Sequence, residues 1–283
     1  MISVGIIGLG FVGGAAYKSF KLKGAKVSVF DKFKDGGIGS LNDIMNCEIV
    51  FLCLPTLYSD ILKSYDKSAL REVCGNLEKL NYSGLVVVKS TVEPETTNKL
   101  SEAFPLLRIA HNPEFLTART AFEDFHNQNH IVLGKGPNAN DEDMELLRTF
   151  YAKYYPKTKI SSCTAVESES MKIMCNSFYA SKVMLFNEYY ILCKKNGSDY
   201  EKIRDLMVDN KWINPMHTLV PGPDAQLGYG GACFPKDTNA LCNYMKSLKS
   251  TCKVLESVIE ERNMLRKDNT NVITSNEESL STN

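Results

Sequence analysis

The chain has 283 residues, with 33 basic and 33 acidic side chains, so its zero formal charge gives no global field toward nucleic acid or an anionic membrane. A hydrophobic fraction of 43% suffices for a buried core, while nine cysteines without a CxxC pair and only four histidines argue against a disulfide framework or a zinc module. A reducing cytoplasm fits this cysteine usage, and the first residues show neither a basic leader nor an apolar run of membrane-spanning length.

Short β-branched apolar runs at residues 4–7, 26–30, 49–54, 85–88 and 131–133 alternate with helical patterns. That alternation predicts βαβ units, hence an α/β fold with a Rossmann-type parallel sheet covered on both faces. The pattern changes near Ser161. Apolar residues then recur at helical spacing over 164–196 until Gly197 ends the run, which predicts one long helix. Further helices are expected over 199–209, 238–249 and 252–267, with an irregular Pro/Gly-rich stretch over 214–231. The expected organisation is a dinucleotide-binding domain over 1–160 and an all-helical substrate and dimerisation domain over 161–267. The Asn/Ser/Thr/Glu-rich stretch 268–283 lacks the apolar residues to offset its ordering and is expected to be disordered.

Gly8-Leu9-Gly10-Phe11-Val12-Gly13 is a GxGxxG turn between a strand and a helix. The first glycine permits the turn, the second lets the backbone approach a pyrophosphate, and the third lets helix and strand pack, with the phosphates at the helix N-terminus. Asp31 closes the second strand, where a carboxylate accepts hydrogen bonds from the adenine ribose and repels a 2′-phosphate, so NAD is favoured over NADP.

A second informative stretch is Gly228-Tyr229-Gly230-Gly231-Ala232-Cys233-Phe234-Pro235-Lys236-Asp237, ahead of a helical segment that Asp237 is expected to N-cap. Glycines before a cysteine allow close approach of a ligand, and a nearby ammonium with a helix N-terminus favours thiolate. The competing reading makes Cys233 a small buried hydrophobe like the other cysteines. Lys172 and Asn176 lie four apart on the long helix, hence on one face, where an ammonium and an amide can together stabilise an oxyanion. They read equally as an exposed polar pair, and Glu114 after Pro113 reads equally as the start of a turn.

Together, GYGGACFPKD, Lys89-Ser90-Thr91-Val92, Asn112-Pro113-Glu114-Phe115-Leu116 and the Lys172-x-x-x-Asn176 pair resemble motifs of the UDP-glucose/GDP-mannose dehydrogenase family, from residue 2 to about 248. The resemblance implies a four-electron, NAD-dependent oxidation of a nucleotide-sugar C6 alcohol to the acid, with UDP-glucose giving UDP-glucuronate as the leading case. It implies catalytic roles for Cys233, Lys172, Asn176, Asp237, Glu114 and Thr91. Cys233 traps the aldehyde as a thiohemiacetal that is oxidised to a thioester, Lys172 or an Asp237-held water takes the hydroxyl proton, and Glu114 with Thr91 positions the hydrolytic water. It further places Gly8, Gly10, Phe11, Val12, Gly13, Asp31, Leu54, Pro55, Thr56, Ser90, Thr91 and Lys236 at the cofactor. Glu114, Phe115, Leu116, Lys172, Asn176, His217, Tyr229, Gly230 and Gly231 fall at the substrate, and no residue is assigned to a metal.

The chain departs from the family pattern at Thr117-Ala118-Arg119, at Leu57 after Thr56, and in the loop 216–224, where Pro221-Gly222-Pro223 stiffens the segment and His217 can contact a phosphate or sugar hydroxyl. It also reads as a short form without the third, nucleotide-binding domain. The stripe Met184, Leu185, Tyr189 and Leu192 on the long helix needs a cover, for which a homodimer is the simplest account and packing within the monomer the competing one. The alternatives are a two-electron β-hydroxyacid dehydrogenase, which joins the same two domain types and needs no nucleophilic thiol, and a non-catalytic NAD-binding or dimerisation protein.

Overall fold

The computed structural model describes residues 2–266 and the backbone of residues 272–273. The chain opens with β1 (Ser3–Ile7), α1 (Phe11–Leu22), β2 (Lys26–Phe30), α2 (Leu41–Ile44) and β3 (Ile49–Leu52). A small hairpin follows, β4 (Tyr58–Ser59) and β5 (Ser64–Tyr65), then α3 (Ser68–Lys79), β6 (Leu85–Val88), α4 (Thr96–Ala103) and β7 (Arg108–His111). Next come α5 (Ala121–His126), β8 (His130–Lys135), α6 (Asp141–Tyr154) and β9 (Lys159–Thr164). The remainder is helical, with α7 (Ala165–Asn196), α8 (Tyr200–Asp209), α9 (Phe234–Ser247) and α10 (Lys253–Leu265), before a two-residue strand β10 (Val272–Ile273).

Seven strands form one sheet in the order β2-β1-β3-β6-β7-β8-β9, parallel throughout except where β7 meets β8. The apolar alternation of the sequence explains how both faces are covered. Val4, Ile6, Ile49, Phe51, Leu85 and Val87 point into one core with Phe20, Phe150 and Tyr151. Their neighbours Ile7, Val50, Leu52, Val86 and Val88 point into the other, against Leu70, Cys74, Leu77 and Leu100. This is the expected Rossmann-type α/β architecture. The chain turns from β1 to β2 on one side and to β3 on the other, so the carboxyl ends of β1 and β3 open the crevice where such sheets bind ligands.

The long helix is set by its ends. Thr164 and Glu167 cap each other, with the Glu167 N–H donating to Thr164 Oγ1 (3.3 Å) and the Thr164 N–H donating to Glu167 Oε2 (2.8 Å). Gly197 stops it at φ +77°, while the Ser198 N–H reaches back to the Cys193 carbonyl, as in a Schellman turn. Asp199 then caps α8 through the Lys202 N–H. Two strands of the seven-stranded sheet escape the sequence reading, β7 and β9, because Arg108-Ile109-Ala110-His111 and Lys159 to Thr164 lack a strong apolar run. The stretch expected to be disordered lies outside the described residues, apart from the backbone of β10, which pairs in parallel with β4.

The chain divides into two compact units, Met1–Thr56 with Asp66–Lys172, and Leu57–Tyr65 with Ile173–Asn283. The division thus falls inside α7. Among the described residues no helix is long and apolar enough to cross a membrane.

In the first unit, α7 also contributes the buried Glu169, which supports a neighbouring helix. Glu169 Oε1 accepts from the backbone N–H and the hydroxyl of Thr97 at the start of α4 (2.7 and 2.6 Å). Burial pushes this carboxyl up to about 7, outweighing the hydrogen bonds that lower it. The folded state therefore holds its proton where the unfolded chain has released it. Stability is greatest below the unfolded value of 4.5 and is lost as pH rises through about 7. Glu169→Gln should flatten that slope, raising stability at pH ~8 by on the order of 2 kcal/mol relative to the parent. Urea titrations of both proteins at about pH 5 and 8 check this.

Candidate active site

The glycine turn lies at the crevice. Gly8 adopts φ +90°, and a Cβ there would run into the Cys53 carbonyl at the end of β3. A Cβ on Gly13 would overlap the Gly8 carbonyl. Those two glycines are demanded by the fold itself. Gly10 is not, since a Cβ there would meet open space. Gly10 is also the N-cap of α1, without a side-chain cap and without an acid in the first turn. The first-turn N–H groups at Phe11, Val12 and Gly13 are thus presented as an anion cradle, with the Phe11 ring largely exposed.

Asp31 stands at the end of β2 and ties the turn together. Its Oδ2 accepts from the Leu9 N–H (2.6 Å), and its Oδ1 from the Phe33 and Lys34 N–H groups. Partial burial works against the charged form, but these backbone donors and the Lys34 ammonium hold the carboxyl below its ordinary range. It is ionised at neutral pH, as an acceptor for ribose hydroxyls must be. Opposite, the ends of β3 and β6 are joined side chain to backbone. Leu54 N–H donates to Ser90 Oγ (3.0 Å), which donates to the Leu54 carbonyl, and Thr56 Oγ1 donates to the Thr91 carbonyl (2.7 Å). Pro55 between them is exposed.

In the same unit Lys172 and Glu114 meet as a buried ion pair, Nζ to Oε1 at 3.1 Å. Glu114 Oε2 accepts from the Leu116 N–H (2.6 Å), which fixes the carboxylate, and the Phe115 ring faces the Lys172 ammonium at 5.5 Å. The exposed-pair reading of Lys172 therefore fails. A second lysine, Lys89, quoted in the Lys89-Ser90-Thr91-Val92 segment but assigned no role there, is buried as well. Lys89 donates to Asn112 Oδ1 (2.8 Å) and to its carbonyl, Tyr151 donates to the same Oδ1, and Asn112 Nδ2 donates to the Val132 carbonyl. Burial brings Lys89 down to about 8. This network fixes the backbone just ahead of Pro113 and Glu114.

In the second unit the cysteine motif is held from two helices. Gly228 N–H donates to Asn187 Oδ1 on α7 (2.9 Å), and Arg262 on α10 donates through Nε to the Tyr229 carbonyl (3.0 Å). A Cβ on Gly230 would strike the Arg266 guanidinium, whereas Gly231, at φ +77°, borders open space. Tyr229 is buried, its hydroxyl beside Thr238 Oγ1, so it braces the loop from below. Cys233 emerges exposed as the N-cap of α9. This corrects the expected start of the helix, because Pro235 suits its first turn and moves the cap from Asp237 to Cys233.

Asp237 is instead fully buried one turn inside. Its Oδ2 accepts from Asn176 Nδ2 (2.6 Å), and its Oδ1 accepts from Lys236 Nζ (2.5 Å) and the Tyr65 hydroxyl. With three donors on it, this carboxylate works as an anchor rather than a holder of water. Lys236 lies 4.5 Å over the Tyr65 ring, so its ammonium is already committed within this cluster. Tyr65, contributed by β5, had no signal in the sequence beyond a tyrosine in a short polar segment. Tyr65→Phe should lower the unfolding free energy by about 1.5–3 kcal/mol, the range for a hydrogen bond to a charged group, without changing the denaturant m-value.

His217, at φ +67°, stacks on Tyr179 (4.9 Å between centroids) and meets the edge of Phe234. Burial, with the Lys182 charge, pushes its pKa down, so it offers a neutral imidazole suited to a hydroxyl rather than a cation for a phosphate. The stripe read from α7 separates into two faces. Met184 packs inside and Tyr189 is partly buried, while Met174, Phe178, Leu185 and Leu192 line an exposed face.

The sequence matches the UDP-glucose/GDP-mannose dehydrogenase family twice, by its NAD binding domain over residues 37–155 and by its central domain over residues 166–263. It is 34% identical to a UDP-glucose 6-dehydrogenase of Rickettsia typhi over 250 residues, which is 84% of this chain and 54% of that protein. The chain thus spans about half the length of the curated relatives it matches. Among solved structures, a UDP-glucose dehydrogenase from Pyrobaculum islandicum superposes with a TM-score of 0.80 at 25% identity, covering 93% of this chain and 68% of that one. A 3-hydroxyisobutyrate dehydrogenase of Mycobacterium tuberculosis gives a TM-score of 0.72 at 16% identity with 96% of both chains covered, a likeness of fold alone.

Proposed function

Because the chain belongs to the UDP-glucose/GDP-mannose dehydrogenase family, we propose that it oxidises the C6 alcohol of a nucleotide sugar to the acid with NAD, UDP-glucose to UDP-glucuronate being the leading case. The observation that carries this reading is Cys233, an exposed thiol at a helix N-terminus behind a glycine loop held by Asn187 and Arg262.

The cofactor side rests on the family's NAD binding domain and on the cradle left open at Gly10, with Asp31 ionised to accept the ribose hydroxyls. When bound, NAD accepts one hydride in each of two oxidations. Lys172, fixed by Glu114, stabilises the alkoxide as the alcohol passes its proton to a solvent water, and loss of the first hydride from C6 leaves the aldehyde. The Cys233 thiolate then adds to the aldehyde carbon. The new C–S bond leaves an oxyanion that the Lys172 ammonium and the second N–H of the Asn176 amide stabilise, Asp237 holding the first. Loss of a second hydride from that carbon gives the thioester. Glu114 draws a proton from water, whose oxygen attacks the acyl carbon and releases the acid and the Cys233 thiol. The test supplies UDP-glucose, UDP-N-acetyl sugars or GDP-mannose with NAD and counts NADH per acid, expected at two. One NADH per product with a hydroxyacid, and none with a nucleotide sugar, would replace this reading by the β-hydroxyacid dehydrogenase one.

The exposed face of α7 supports a homodimer through that helix, since Met174, Phe178, Leu185 and Leu192 are spaced to fall on one side. Phe178→Glu with Leu185→Glu is expected to convert a dimer to monomer in sedimentation velocity, leaving the circular dichroism spectrum unchanged.

A further inference from the structure

Two of the cysteines that the proposed chemistry does not use share a place with a carboxylate. Cys242 sits on α9, Cys252 is the N-cap of α10, and Glu256 follows one helical turn later. Their two sulfurs and a carboxylate oxygen all lie within 4.8 Å of one another, the one such triad of metal-ligating groups found among the described residues. Both thiols are buried, in the cluster with Ala240 and Leu255. Lys246, one turn past Cys242 on α9, pairs with Glu256 at 2.7 Å.

We propose that Cys242, Cys252 and Glu256 bind a borderline-soft divalent cation of the Zn²⁺ class, which ties the end of α9 to the start of α10. Two sulfurs with one oxygen select against Mg²⁺ and Ca²⁺, which take oxygen ligands, and suit a tetrahedral ion whose fourth position is water. The charges close within the cluster. Two thiolates and a carboxylate carry three negative charges, the ion two positive and Lys246 one, so the assembly is neutral, with the two thiols on its buried side and the partly exposed Lys246–Glu256 pair on its outer side. The geometry is near what is needed. Ligand atoms around tetrahedral Zn²⁺ stand roughly 3.5–4 Å apart, so the present envelope, within 4.8 Å, tightens by about 1 Å, within reach of side-chain adjustment. The spacing, Cys-x9-Cys-x3-Glu, matches none of the familiar zinc patterns, which is why the sequence assigned no metal ligand.

The test is a titration of the reduced, metal-free full chain with Cd²⁺, followed by thiolate-to-metal charge-transfer absorption, and with Zn²⁺, followed by thermal unfolding. One equivalent is expected to saturate the absorption and to raise the melting temperature by several degrees. Cys242→Ser/Cys252→Ser should lose both signals, and Cys233→Ser, which removes the exposed thiol, should keep them. Glu256→Gln, the mildest change, should weaken Cd²⁺ binding about tenfold or more, and it keeps the test alive if the double serine variant fails to fold. The proposal is overturned if the double serine variant or Glu256→Gln binds as the parent does, or if the parent shows no saturable signal. It is also overturned if air-exposed protein is found with a Cys242–Cys252 disulfide and its reduced form takes up no ion. None of these readouts depends on turnover.

Discussion

Cys233→Ala is expected to reduce acid formation by about a thousandfold or more while leaving folding and NAD affinity within error of the parent. The thiol is exposed, so its loss opens no cavity, and a surface substitution away from a packed site usually changes stability by under about 0.5 kcal/mol. The cofactor cradle at Gly10 and Asp31 lies in the other compact unit and is built by other residues. Two measurements separate the possibilities. Titration with NAD, followed by protein fluorescence, reports the cradle. NADH and acid counted in the same reaction report the chemistry. A Cys233→Ala protein that still gives two NADH per acid would remove the thioester from the scheme, and the alcohol would then be oxidised through a hydrated aldehyde. A parent that gives one NADH per product would make Cys233 an ordinary surface thiol.

How far the sequence reveals such a site depends on whether a residue's reason is local. Gly8, Gly13 and Asp31 are legible because a βα turn imposes its requirements within a few residues, and the structure meets them at the Cys53 and Gly8 carbonyls. The long helix is legible for the same reason, since a capping pair at Thr164 and Glu167 and a stop at Gly197 bracket it. Asp237 shows where local reading ends. Ahead of an apolar run it looks like an N-cap, but Pro235 starts the helix earlier and turns the carboxylate inward onto Asn176. Tyr65 and Lys89 are illegible in principle, because their partners Asp237 and Asn112 stand 172 and 23 residues away and only the fold joins them. The hairpin of β4 and β5 is a similar case. Its strands are too short to show a period, yet Tyr58 and Tyr65 are among the most deeply buried side chains of the chain.

The second large effect concerns the Lys172–Glu114 pair, and it is first an effect on stability. Lys172→Met removes the ammonium and leaves a buried carboxylate that still accepts from the Leu116 N–H. Breaking a buried pair by removing one member costs about 3–5 kcal/mol, since the desolvated charge is left uncompensated. At roughly 2–4 °C per kcal/mol for a chain of this size, the melting temperature should fall on the order of 10 °C. The double variant Lys172→Met/Glu114→Gln no longer buries a charge, so most of that loss should return, a coupling readable from denaturant titrations of the four proteins. Activity should not return with it. If the ammonium stabilises the oxyanion and the carboxylate activates water, the double variant is stable and inactive, whereas a purely structural pair predicts that turnover recovers along with the fold. The divergence between those two curves, one for unfolding and one for acid formed, decides whether this ion pair is part of the chemistry.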